Sequence, residues 1–123
     1  MPIVKPAIKQ APERWAAQAA DAASATLTIP ADLRRERRFE IACAVTVNVP
    51  ADASNSAWLQ VTVQANGTQL WRRRTPAHNP GAWDGLDYRF SRSVPVGQTL
   101  RVTVSVAGQG VRRHSLDIEA DEV

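Results

Sequence analysis

The sequence predicts an all-β domain: an antiparallel β-sandwich of six to eight strands, immunoglobulin-like or jelly-roll-like, preceded by an extended or short-helical N-terminal segment. Three observations carry this expectation. From Arg38 onward apolar residues recur at every second position, the period of a half-buried strand. Turn residues cut the pattern into short runs, as in "ANGT", "VPVG" and "AGQG". No strand-like stretch alternates with a helix-like one, as a parallel sheet would require.

Composition sets the outer limits. A chain of 123 residues, 44% hydrophobic, is one domain able to bury a core. No apolar run approaches the roughly 20 residues of a membrane span. "MPIVKPAIKQ" lacks the charged-then-apolar order of a secretory signal, so a cytoplasmic location is expected, unless a leader belongs to a longer chain. The single cysteine excludes an internal disulfide framework. The net charge is +3. Residues 1–38 hold seven basic and four acidic side chains, while the rest hold eight of each. The last seven residues, "DIEADEV", carry four acids. Ends of opposite sign suit solvated termini, self-association or a charged partner.

Taken in order, residues 1–36 read as an N-terminal arm with a short helix or first strand, and residues 37–123 as the sandwich. Prolines 2, 6 and 12 keep the first dozen residues extended. Pro12 can open a short helix over "ERWAAQAADAAS", which the alanines favour. "SATLTIP" reads as a first strand and "ADLRRERR" as a charged connection. "FEIACAVTVNV" then puts Phe39, Ile41, Cys43, Val45, Val47 and Val49 on one face. "WLQVTVQ" aligns Leu59, Val61 and Val63, and "LDYRF" aligns Leu86, Tyr88 and Phe90. "TLRVTVSV" aligns Leu100, Val102, Val104 and Val106, and the last strand offers Leu116 and Ile118.

Two hairpins suggest themselves. Asn66-Gly67 is a type I′ signal that sets Ala65 against Thr68. A three-residue Gly108-Gln109-Gly110 loop would pair Ala107 with Val111 and Val102 with Leu116, and put His114 opposite Val104 on the inner face. In the first hairpin, strict alternation places Trp58, Gln60, Thr62, Trp71 and Arg73 on one outer face. It also faces Arg72 and Arg74 to the core. A β-bulge near Trp71 would turn Trp71 inward and the arginines out.

Site chemistry is sparse. Cys43 sits in an apolar strand and reads as a buried, inert thiol. Two histidines and one cysteine give no metal-ligand spacing, and no nucleophile or phosphate-loop motif occurs. Asp84 and Asp87 near His78 have the residue types for acid–base chemistry or Ca²⁺, but Asp84-Gly85 is an ordinary turn. No catalytic residue, metal or cofactor is expected. The "TPAHNPGAWDG" stretch reads as a surface loop anchored by Trp83 packing over the open end of the sandwich.

The expected function is therefore a non-catalytic binding or assembly module with a protein partner, self-association through the N-terminal arm included. Candidate binding residues are Trp58, Gln60, Thr62, Trp71, Arg73, His78 and Trp83. Carbohydrate binding by outward tryptophans is the first alternative. Arginine-mediated nucleic-acid binding is the second, opposed by the C-terminal acids and by the splitting of each arginine run between two strand faces.

Overall fold

The computed structural model describes residues 11–52, 56–77 and 80–123. Eight strands follow one another: β1 (Arg14–Ala19), β2 (Ser24–Ile29), β3 (Arg37–Asn48), β4 (Trp58–Ala65), β5 (Thr68–Pro76), β6 (Trp83–Val94), β7 (Leu100–Gln109) and β8 (Arg112–Glu122). They form two four-stranded antiparallel sheets, sheet A in the order β1-β8-β3-β6 and sheet B in the order β2-β7-β4-β5. Among the described residues, no helix is long and apolar enough to cross a membrane.

The topology follows from one turn. Asn66 (φ 48°) and Gly67 (φ 81°) both adopt positive φ, which closes a two-residue hairpin between β4 and β5. That turn is the apex of one long hairpin, whose arms pair as β4·β5, β3·β6, β2·β7 and β1·β8. Rolled up, the arms also pair β3 with β8 and β4 with β7. Eight strands in this order make a jelly roll, the second of the two predicted sandwiches.

Two local expectations are overturned. The segment predicted as a short helix forms β1, with Trp15, Ala17 and Ala19 facing inward opposite Ala120, Ile118 and Leu116 of β8. Alanine favours an isolated helix, but so short a helix is unstable alone, and the β8 ladder supplies partners for its backbone. The predicted β7–β8 hairpin does not form. β7 lies between β2 and β4 in sheet B, and β8 between β1 and β3 in sheet A. Both strands turn their apolar side to the same core from opposite sheets, so alternation alone cannot tell a hairpin from an arch. His114 accordingly does not face Val104. It is exposed, at the irregularity where β8 shifts register against β3.

The core is as predicted. Ile41, Val45, Val61, Val102, Val104 and Leu116 are buried, together with Phe39, Val47, Leu59 and Ile118. Cys43 is buried among them, and burial pushes its thiol up to about 12. One end of the sandwich is closed by Val49, Ala57 and Ala77, with Val111 against them. Trp83, expected in that role, is 53% exposed.

The charged ends meet within the molecule. Arg37, nearly fully buried, donates from Nη1 to Glu13 Oε1 at 2.7 Å and from Nη2 to the Pro30 carbonyl at 2.6 Å. Arg35 donates to Glu13 Oε2 at 2.7 Å and also binds the Glu122 carboxylate. Arg14 Nε reaches Asp121 Oδ1 at 2.7 Å. Part of the basic excess of the N-terminal third thus fastens the start of β1 and the connection before β3 to the C-terminal strand.

Candidate functional site

Sheet B concentrates one kind of charge. Its strands, "SATLTI", "WLQVTVQA", "TQLWRRRTP" and "LRVTVSVAGQ", contain four arginines and no Asp or Glu. Sheet A carries all the strand acids, seven of them, with seven arginines. The sequence order hides this partition, because consecutive strands lie mostly in different sheets.

The outer face of sheet B is built on the β4–β5 hairpin. Gln64 pairs with Gln69, but Val63 pairs with Trp71, so Leu70 is an extra residue and the register shifts by one. This bulge selects the second of the two predicted arrangements. Trp71 turns inward and stacks on Tyr88 of β6, centroids 4.8 Å apart and planes 8° from parallel. Arg72 falls opposite Thr62 and Arg74 opposite Gln60, both on the outer face. Arg73 pairs with Val61 and emerges into solvent at the open flank of this edge strand.

The resulting cluster is ordered by hydrogen bonds. Arg72 Nε donates to Thr62 Oγ1 at 3.2 Å, and Arg74 Nε donates to Gln60 Oε1 at 3.1 Å. The Arg74 guanidinium lies 3.8 Å above the Trp58 ring, a cation–π contact. Trp58 Nε1 donates to Gln109 Oε1 of β7 at 3.1 Å. No ion pair among the described residues involves Arg72 or Arg74. Each side chain is therefore fixed through Nε, with its amino fork uncommitted to a carboxylate. Beside them, Ser56, Ala57, Trp58, Arg74 and Pro76 line a shallow depression of about 340 Å³.

Of the predicted binding residues, Trp58, Gln60 and Thr62 come together here. Trp58 is half-exposed and Thr62 is 8% exposed beneath Arg72. Trp71 and Arg73 do not join them, for the bulge reverses both. Trp83 lies on the other sheet, across from Asn48, with its ring 4.3 Å from that of His114. His78 lies outside the described residues. Arg72, Arg74 and Gln109 were missed as members. The bulged register carried the signal for the arginines. Gln109 depends on the β4·β7 pairing, which no local pattern announces.

Asp84 and Gly85, read as a turn, are strand residues facing Val47 and Thr46 of β3. A Cβ on Gly85 would stand 2.7 Å from the Val45 carbonyl oxygen, so glycine serves a close backbone approach there.

No family model matches the sequence, and no curated protein matches it. Among solved structures, the chain is similar to dimeric latent PorU from Porphyromonas gingivalis, at 14% identity and a TM-score of 0.47, covering 87% of this chain and 11% of that one. It is also similar to the insecticidal delta-endotoxin Cry8Ea1 from Bacillus thuringiensis, at 17% identity and a TM-score of 0.37, covering 91% of this chain and 19% of that one. The chain spans only a small part of either protein.

Proposed function

We propose that this chain is a non-catalytic binding and assembly module whose working surface is the outer face of sheet B. The observation that supports this is the pair of arginines, Arg72 and Arg74, each held through Nε by a β4 side chain on a sheet without acids. A guanidinium fixed in this way loses little freedom on meeting a carboxylate or similar anion, and its planar fork suits two-point contact. Cys43 supports the non-catalytic reading, since a buried thiol titrating near 12 is not a nucleophile. Of the predicted N-terminal arm, β1 and β2 are committed to the sheets, and residues 1–10 lie outside the described residues.

The partition of charge answers both objections to an anionic partner. The C-terminal acids belong to sheet A, and the bulge puts two arginines of the run on one face. Sugar stacking is less favoured, because Arg74 already covers the Trp58 ring.

The test is a titration of isotope-labelled protein with a short peptide of alternating Asp and Thr, followed by amide shifts. Shifts centred on Gln60, Thr62, Arg72, Arg74 and Gln109, abolished by Arg72→Gln/Arg74→Gln, support the reading. Shifts confined to sheet A, or none at millimolar peptide, overturn it.

A further inference from the structure

The opposite side of the sandwich carries a matching row. On sheet A, β8 presents Asp117, Glu119 and Asp121 on its outer face, at alternate positions. Asp121 is engaged by Arg14. Asp117 and Glu119 enter no ion pair among the described residues. Their neighbours across the ladders are Gln18 and Ala44 for Asp117, and Ala16 and Ala42 for Glu119. Glu119, between two alanines, is exposed, while Asp117, between Gln18 and Ala44, is half-buried.

The spacing is the same on both faces. Residues i and i+2 of an extended strand lie about 6.5–7 Å apart on one side. Arg72 and Arg74 repeat at that interval, and so do Asp117 and Glu119. The two rows point away from each other on opposite sides of one sandwich, so a single molecule cannot join them. Two molecules can.

We propose that copies of this chain stack face to face, with Arg72 and Arg74 of one copy against Asp117 and Glu119 of the next. This rests on reading the sheet B face as the working surface, and it names the partner as a second copy. The contact uses two different patches, so it is heterologous and repeats into open chains unless a rotation closes it. Exposed ion pairs fix register more than they add affinity, and salt screens them. Association is therefore weak, concentration-dependent and salt-sensitive. Trp58 and the depression beside it add the less polar part of the contact.

The experiment is sedimentation velocity on the full chain from about 10 µM to about 1 mM, a range suited to weak contacts, at low and high salt. Two variants each remove one half of the contact: Arg72→Gln/Arg74→Gln and Asp117→Asn/Glu119→Gln. The unaltered chain is expected to form larger species that dissociate in high salt. Each variant alone is expected to stay monomeric with an unchanged melting temperature. An equimolar mixture of the two retains one good patch on each partner, and is expected to give a one-to-one dimer and nothing larger. A chain that stays monomeric throughout, or an arginine variant that associates like the unaltered chain, overturns the proposal. Should a double variant fail to fold, Glu119→Gln alone must still weaken association several-fold. If self-association is absent while the Asp–Thr peptide still shifts Thr62 and Arg72, the partner is not a second copy and the binding reading stands. If the peptide also fails, both readings fall.

Discussion

The Glu122 carboxylate accepts a 3.0 Å hydrogen bond from Arg35 Nη2, tying the last strand to the connection before β3. The Arg35 guanidinium is the main reason that Glu122 is held down to about 2; burial opposes it, and the Glu13 backbone N–H adds to the lowering. A carboxyl with a depressed folded-state pKa stabilises the fold above its ordinary pKa and loses that contribution on protonation. The chain should therefore lose stability as pH falls from about 4.5 toward about 2. Urea midpoints across that window should fall more steeply for the unaltered chain than for Glu122→Gln. Equal slopes would mean that the pair carries no linkage.

Leu116 is 1% exposed and sits opposite Ala19 and Val45 in adjacent ladders. Leu116→Ala removes buried methyl groups and leaves a cavity, at a cost of about 2–5 kcal/mol. A loss below about 0.5 kcal/mol in equilibrium unfolding would be incompatible with a core position.

Gly85→Ala tests the close approach of β6 to β3. The new Cβ would lie 2.7 Å from a backbone oxygen, and backbone cannot swing aside as a flexible side chain can. The strands must separate locally, at about 1–3 kcal/mol. If Gly85 were only a turn residue, the same change would leave the unfolding midpoint within error.

Cys43 gives a chemical readout of core integrity. With its thiol near 12, about one molecule in ten thousand is thiolate at pH 8. A thiol-reactive probe should modify it only in denaturant. Prompt modification of native protein would show that the strand opens locally.

What was legible in the sequence was the facing of side chains, not the partnership of strands. Ile41, Val61, Val104 and Leu116 could be placed in the core because a period of two separates the faces of a strand whatever it pairs with. Asn66-Gly67 gave its turn, because two consecutive positive φ values demand that chemistry. β7 and β8 were misjoined because Gly108 to Gly110 reads alike as a hairpin and as an arch between sheets. At the site, Trp58, Gln60 and Thr62 were legible as alternate residues of one strand. Arg72 and Arg74 were not fixed, because one extra residue, Leu70, reverses every side chain beyond it. The decision to bulge belongs to tertiary packing, since it lets Trp71 reach Tyr88 across the open flank.

The sharpest test of that bulge compares two tryptophans twelve positions apart. Trp71 packs against the core and stacks on Tyr88, which in turn lies 5.6 Å from Phe90, so three rings fill the flank between the edge strands β5 and β6. Trp83 stands 53% exposed on sheet A, with His114 as its ring neighbour. Truncating a fully buried aromatic costs about 3–5 kcal/mol, and Trp71 is half-buried, so Trp71→Ala should cost about 2–4 kcal/mol. Trp83→Ala should cost less than about 1 kcal/mol. If Trp71→Ala cost as little as Trp83→Ala, Trp71 would face outward as in the strict hairpin register. Arg72 and Arg74 would then face the core side and Arg73 would replace them beside Trp58. The paired forks on which the binding face depends would not exist.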